Sequence, residues 1–107
     1  MPADVMASDR RLVILDVNGV LLKDYFRRPE DLWNIKFPDG CQPRGVQVSR
    51  NKYCVVRPDA EDFIINLRKR CYVMLWSCSR IQNLMAIMNA CFPRLMKKKD
   101  LFLGIYS

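Results

Sequence analysis

The stretch Leu12-Val13-Ile14-Leu15-Asp16-Val17-Asn18-Gly19-Val20 decides the fold of this chain. Its first four residues form an unbroken apolar run, which is typical of a short strand buried on both faces of a parallel sheet. The strand ends at Asp16, and Gly19 then permits a tight turn. A carboxylate after a buried strand can act as a nucleophile toward phosphorus and can bind Mg²⁺. An aspartate here is more often a turn residue, so its role depends on what the fold places beside it.

Two later apolar runs extend the predicted sheet. Tyr72 to Trp76 and Leu101 to Ile105 each have the length and composition of a buried strand. Helical patterns separate the three runs, and short strands that alternate with helices indicate a parallel sheet with right-handed crossovers. The predicted fold class is therefore α/β, in the order strand, flap, helix, strand, helix, strand; the resemblance described below implies a partial three-layer arrangement.

Both predicted helices have sequence signals at their ends. The first begins at Pro58, which suits the first position of a helix, and ends near Arg70. The second opens on a capping box of Ser79 and Gln82 and stops at Pro93. Helical spacing predicts the inward-facing residues, which are Ala60, Phe63, Ile64 and Leu67 in the first helix and Ile81, Leu84, Met85 and Met88 in the second.

The segment from residue 17 to 56 has no long periodic pattern and is interrupted by prolines and glycines. We interpret it as a flap or cap region that holds short extended pieces. A chain of 107 residues is one domain at most. The predicted organisation is a tail over residues 1–10 and one domain over residues 11–107, with the flap over residues 17–56.

Composition excludes several classes of function. The chain has no histidine, which removes His-based triads and imidazole metal sites. Its five cysteines form no CxxC pair, so we interpret them as reduced thiols in a reducing compartment. The formal charge of +7 permits a nucleic-acid module, but sequence-specific DNA binding is not expected. No apolar stretch is long enough to span a bilayer, and the amino terminus resembles neither a secretory signal nor a transit peptide.

Polar residues follow two strands of the predicted sheet. Parallel sheets bind ligands at the carboxyl ends of their strands. Asp16 ends the first strand, and Ser77 ends the second within Trp76-Ser77-Cys78-Ser79. The hydroxyl of Ser77 can hydrogen-bond phosphoryl oxygens, while Asp16 supplies the carboxylate. Their joint placement favours a phosphoryl site over two unrelated turn residues.

These segments resemble motifs of the haloacid-dehalogenase superfamily. Leu12 to Leu22 resembles its first motif, in which an apolar strand runs into Asp-x-Asp-x-Thr/Val. Val56 to Phe63 is similar to the Arg-Pro helix start of the branch related to RNA polymerase C-terminal-domain phosphatases, also called nuclear-LIM-interactor-interacting-factor-like. Leu75 to Ser79 is similar to the second motif of that branch, and the resemblance covers about Arg11 to Ile105. It implies a haloacid-dehalogenase-like fold and an Asp-nucleophile phosphoprotein phosphatase that uses Mg²⁺.

The resemblance also implies roles for single residues. Asp16 would be the nucleophile and a Mg²⁺ ligand, the backbone carbonyl of Asn18 a second Mg²⁺ ligand, and Ser77 the phosphate-binding residue. The family has an aspartate where Asn18 stands, and an amide cannot serve as the general acid and base. The family's third-motif lysine and later acidic residues lie beyond the third strand, where this chain ends. Turnover is therefore expected to be weak or absent.

Four hypotheses remain open at this point. The chain is a phosphatase-like domain with lost or residual activity, or a true phosphatase whose longer form completes the site. It is alternatively a non-catalytic binding domain, similar to the presequence-receptor subunit of the mitochondrial inner-membrane translocase, or a basic nucleic-acid module. The first two imply a phosphoprotein or other protein partner in the nucleus or cytoplasm, and the third implies the mitochondrial inner membrane.

One expectation concerns the edge of the sheet. In the superfamily the first-motif strand lies between the second-motif strand and a strand that comes later in sequence than this chain extends. Leu12 to Leu15 should therefore form an uncovered edge, which favours self-association or a partner that supplies a strand. Losing that burial should also leave the chain marginally stable.

Overall fold

The structure is a computed structural model that describes residues 10–30 and 43–107. The predicted succession of strand, flap, helix, strand, helix and strand is found, with three further strands in the part of the flap that the structure describes and a further short helix before the last strand. The strands and helices, in chain order, are β1 Arg11–Asp16, β2 Leu22–Tyr25, β3 Arg44–Ser49, β4 Lys52–Val56, α1 Ala60–Arg68, β5 Cys71–Trp76, α2 Ile81–Cys91, α3 Pro93–Lys97 and β6 Phe102–Tyr106.

The strands form two sheets. One is parallel, in the order β1-β5-β6, and the other is antiparallel, in the order β2-β4-β3. The predicted α/β class with a parallel three-stranded sheet is confirmed, and the finer haloacid-dehalogenase-like identity stays a prediction. The described parts of the flap hold the whole antiparallel sheet, so this region is more regular than its prolines and glycines indicate. The tail over residues 1–9 and the flap residues 31–42 lie outside the described residues.

The helices cover one face of the parallel sheet. Strands that follow one another in a single direction through right-handed crossovers bring their helices to the same side. Leu15, Leu75 and Ile105 point to that side and pack on a core that includes Ile64 of α1 and Leu84 of α2. A second helical layer, which the three-layer prediction requires, is not found among residues 10–30 and 43–107.

The other face of the parallel sheet exposes large apolar side chains. Ile14 is 52% exposed, Trp76 55% and Tyr106 51%. The prediction that Leu12 to Leu15 is buried on both faces is therefore wrong, because an apolar run reports only that a strand suits burial. Whether both faces are covered depends on where the helices lie.

Three predictions about the helices also need correction. Asp59 is the N-cap of α1, so Pro58 precedes the helix instead of occupying its first position. Arg80 is the N-cap of α2, with no side-chain capping bond, so the predicted capping box of Ser79 and Gln82 is wrong. Phe63 is 48% exposed because the core contacts of α1 centre on Ala60 and Ile64.

Ile81, predicted to face inward, is exposed in the first turn of α2, whereas Leu84 and Met88 are buried as predicted. The helix ends at Cys91, and Pro93 begins the short helix α3, which the sequence did not predict. A proline that ends one helix can occupy the first turn of the next, because that turn needs no bond from its missing N–H.

Two buried thiols contact each other within the core. Cys54 of β4 and Cys91 of α2 are both inaccessible to solvent, and their side chains are hydrogen-bonded to each other. This bond and burial raise the pKa of the Cys54 thiol above its usual range, while the same bond lowers the pKa of Cys91. Arg44 of β3 donates a hydrogen bond to the Cys91 carbonyl. The pair thus lies where the antiparallel sheet meets α2.

Candidate functional site

Asp16 and Ser77 come together at the carboxyl edge of the parallel sheet. β1 and β5 pair in parallel with Asp16 opposite Trp76, so Ser77 lies one residue beyond the partner of Asp16. With the ordinary spacing of paired strands, their Cα atoms are about 6 Å apart. β6 ends at the same edge, because the Ser77 N–H donates to the Tyr106 carbonyl at 2.9 Å. The structure therefore brings together the two residues that the sequence singled out.

The Asp16 carboxylate is positioned by the start of the following turn. Its Oδ1 accepts the backbone N–H of Val17 at 2.8 Å, and the side chain of Val17 is buried. The Val17 carbonyl accepts the amides of the next turn, with Leu21 N–H at 3.0 Å. The other carboxylate oxygen, Oδ2, has capacity to accept further donors. Asp16 is exposed, so a ligand in solution can approach it.

Gly19 gives this turn its shape. Its φ is +90°, a left-handed conformation that glycine adopts far more easily than other residues. A Cβ built at this position would meet no atom within 4 Å, so the conformation, not space, requires glycine. The Gly19 N–H donates to the Leu22 carbonyl at 2.7 Å, which closes the turn into β2. The turn that positions Asp16 therefore also joins the two sheets.

Asn18 is tied to the antiparallel sheet by its side chain. Its Nδ2 donates to Asp24 Oδ1 at 2.9 Å, and the Asp24 N–H donates to Asn18 Oδ1 at 3.4 Å. Asp24 also forms an ion pair with Lys52 at 3.3 Å. The side chain of Asn18 thus has a structural partner, while its predicted role as a ligand concerns only its backbone carbonyl.

Sequence reasoning missed Asp24 and Lys52. The segment from Leu22 to Tyr25 is short and does not alternate between apolar and polar residues, so its sequence does not mark a strand. Only the pairing of β2 with β4 brings Asp24 within reach of Lys52. A carboxylate close to Asn18 therefore exists in the described residues, but it comes from the flap and not from the first motif.

Ser77 is buried at the end of β5. Only 4% of Ser77 is exposed, and no other polar residue within residues 10–30 and 43–107 is buried. Its Oγ accepts the Ser79 N–H at 3.2 Å, which leaves the hydroxyl proton for donation to a ligand. A buried hydroxyl that keeps its proton can serve as a short-range donor to an oxygen at this edge.

A cavity of about 210 Å³ opens beside the turn. Its lining combines apolar side chains with an ion pair in which Arg57 Nε lies 3.8 Å from Asp59 Oδ1. The lining residues are Val20, Leu21, Arg57, Asp59, Ala60 and Phe63. The volume is below that of sites for drug-sized molecules, so it suits one side chain of a larger ligand.

The predicted Mg²⁺ ligands make an incomplete set. Among the residues that the structure describes, no three acidic or cysteine side chains cluster as a metal site. Mg²⁺ is often held by one or two carboxylates, with waters and substrate phosphate oxygens supplying the other ligands. Asp16 fits the part of the single carboxylate, since one of its oxygens is uncommitted by the described hydrogen bonds. The magnesium site at Asp16 and Asn18 stays a prediction.

A scan of the chain against models of protein families finds no match, and a search of curated proteins finds none either. The resemblance to the haloacid-dehalogenase superfamily therefore rests on the motif residues alone. Among the described helices, none combines the length and the apolar character needed to cross a membrane.

Proposed function

We propose that this chain is a phosphatase-like domain that binds a phosphoryl group carried on a protein and hydrolyses it weakly or not at all. The observation that supports this proposal most directly is the register of β1 and β5. It puts Ser77 one residue beyond the partner of Asp16 at the carboxyl edge of a parallel sheet, the edge at which such sheets bind ligands.

In this proposal the chain contributes two groups to phosphoryl binding. Asp16 presents its uncommitted oxygen toward the phosphorus and anchors one Mg²⁺, while Ser77 donates its hydroxyl to a phosphoryl oxygen. Mg²⁺, when bound, would neutralise charge on the phosphoryl group. The turn around Gly19 holds Asp16 in place, since its backbone bonds begin at Val17.

Weak turnover follows from Asn18. An amide neither donates a proton to a leaving oxygen nor takes one from water near neutral pH, and such help is worth roughly 10²- to 10⁴-fold in rate. The side chain is moreover engaged with Asp24. We therefore expect recognition of the phosphoryl group to persist where catalysis does not.

Non-catalytic protein recognition is the second candidate. The hydrogen bonds between Asn18 and Asp24 favour this candidate. They give position 18 a structural role where a phosphatase of the family has an acid-base residue. The two candidates differ in what they require of the ligand. The first requires the phosphoryl group, whereas the second predicts equal affinity for a peptide with and without phosphate.

The test compares binding and turnover in the same preparation. We expect a phosphoserine peptide with Mg²⁺ to shift the amide resonances of Asp16, Gly19 and Ser77, while the unphosphorylated peptide does not. Ser77→Ala should weaken this binding, and Ser49→Ala, at the far end of β3, is the matched control. Hydrolysis of an aryl phosphate should be negligible.

Two outcomes would contradict the proposal. Equal binding of both peptides would support the non-catalytic candidate instead. Clear Mg²⁺-dependent turnover that Asp16→Asn abolishes would show a working phosphatase. Asn18→Asp alone should not restore turnover, because charge neutralisation at the phosphoryl group is a separate large contribution.

A further inference from the structure

The outer edge of β1 is unpaired within the described residues. β1 pairs with β5 over six consecutive residues without a shift in register. β6, at the opposite edge, pairs irregularly with β5 and contains Gly104, and such irregularity protects an edge from further pairing. β1 contains no proline, glycine or lysine that would do the same. It is therefore the edge of this sheet better suited to accept another strand.

The exposed face of the sheet continues across β1. Ile14 lies opposite Met74, and Trp76, two residues further along β5, projects from the same face. Ile14 and Trp76 are each more than half exposed, and Tyr106 opposite Trp76 is likewise 51% exposed. These residues form a continuous apolar surface, not a single exposed side chain. A strand added at β1 would widen this sheet and cover part of Ile14.

The charges at the two ends of β1 select an antiparallel second copy. Arg10 and Arg11 lie at its amino end and Asp16 at its carboxyl end. Arg10 is held at that end, since its Nη2 donates to the carbonyls of Arg68 and Lys69. Antiparallel pairing of two β1 strands sets the basic end of each beside the acidic end of the other. Parallel pairing would set like charges together.

The register follows from the same residues. Residues directly opposite each other in an antiparallel pair project from the same face of the sheet. Because side chains alternate between the two faces, the twofold axis must lie where one residue of β1 is opposite the same residue of the second copy. An axis at Val13 sets Arg10 opposite Asp16 and Leu12 opposite Ile14. An axis at Ile14 would set Leu12 against the carboxylate of Asp16, which leaves an ionised group without a partner.

We infer that two copies of this chain associate through β1, paired antiparallel about Val13, to form a continuous six-stranded sheet. The surface is self-complementary, as a twofold interface requires. This inference does not depend on phosphoryl binding. It assigns the exposed edge to a second copy, and the contact across the axis uses the same Asp16 carboxylate that the proposed function assigns to the phosphoryl group.

Disulfide trapping of the full chain tests the register. Cα atoms directly opposite each other in an antiparallel pair are about 4.5–5.5 Å apart, within the range of about 4.4–6.8 Å that a disulfide accepts. Val13→Cys should therefore give a covalent dimer under mild oxidation. Ile14→Cys is the matched control, since its two copies would be about 8 Å apart. The native chain, oxidised in parallel, measures any crosslinking through its own cysteines.

Sedimentation of the native chain over a range of concentrations supplies the second measurement. We expect a monomer–dimer equilibrium that Ile14→Lys shifts to monomer, with an unchanged far-ultraviolet circular dichroism spectrum as the control for folding. A native chain that remains monomeric at every concentration would overturn the inference. Equal trapping at positions 13 and 14, or association that Ile14→Lys leaves intact, would overturn it as well.

Discussion

The antiparallel sheet is buried along its central strand, whereas the described residues cover the parallel sheet on one face only. Tyr53 to Val56 of β4 are each at most 8% exposed, while Ile14 of β1 is 52% exposed. β4 lies between β2 and β3 and directs Cys54 and Val56 into the core. Within residues 10–30 and 43–107, β1 has a single neighbouring strand and helices on one side. The comparison teaches that burial follows from the number of layers and strands around a residue.

The largest expected effect is a difference in stability between two variants, each of which removes the same number of side-chain carbons from one of the two sheets. Leu22→Ala in β2 deletes three carbons from a residue that is 3% exposed, and it should lower the free energy of unfolding by about 2–5 kcal/mol. Ile14→Ala deletes three carbons from a residue that is half exposed, and it should cost less than about 1 kcal/mol.

Urea denaturation, with the slope checked for each variant, measures both changes. Equal losses for Leu22→Ala and Ile14→Ala would mean that the exposed face of the parallel sheet is covered in solution, which would remove the contrast.

Amide exchange should sharpen the same contrast without mutation. Backbone amides of β4 bond to strands on both sides, whereas β1 bonds to β5 alone within the described residues. At low protein concentration, amides from Leu12 to Leu15 should exchange at least about tenfold faster than those of Cys54 and Val55, through local opening. Raising the concentration should slow exchange in β1 only, because the second copy pairs there. Strong protection of β1 in a dilute monomer would contradict the uncovered edge.

Gly19→Ala tests the turn that joins the two sheets. Because φ is +90° and a Cβ would meet no neighbour, the cost should come from the backbone alone, about 1–2 kcal/mol. Gly19→Asn should cost less, since asparagine tolerates left-handed conformations better. Thermal denaturation of the three proteins gives the order of stability. Equal stability of the alanine variant and the native chain would show that the turn relaxes.

Asn18→Asp should give the smallest effect, with a defined dependence on pH. It replaces a hydrogen-bond donor to Asp24 by a second carboxylate, and both groups are accessible to water, so the loss should stay below about 1 kcal/mol. Two carboxylates repel each other only while both are ionised. The stability of the variant relative to the native chain therefore falls as pH rises through and above about 4, where carboxyl groups ionise.

Denaturation of Asn18→Asp and the native chain at several pH values measures this difference. A gap that widens toward acid pH would contradict the repulsion and its sign. Lys52 is expected to reduce the repulsion, because its Nζ lies 3.3 Å from Asp24.

Much of the fold could be read from the sequence, and some of the site could not. The runs from Leu12, Tyr72 and Leu101 predicted three strands to within one or two residues, because apolar runs bounded by turns have few alternatives. Asp16 and Ser77 were found by the same reasoning, since they end two of those strands. The hydrogen bonding of the Asn18 side chain could not be predicted from the sequence, because the closure of the turn into β2 brings its partner Asp24 close.

The sequence by itself determined the α/β class, the order of the three parallel strands along the chain and the polar residues at the ends of two of them. These properties depend on local patterns of apolar and turn residues. Only the tertiary structure decided that Ile14, Phe63 and Trp76 are exposed and that the described parts of the flap form an antiparallel sheet. Burial of an apolar side chain contributes a similar free energy whichever element buries it. The pattern of apolar residues therefore does not determine which face of the sheet the helices pack on.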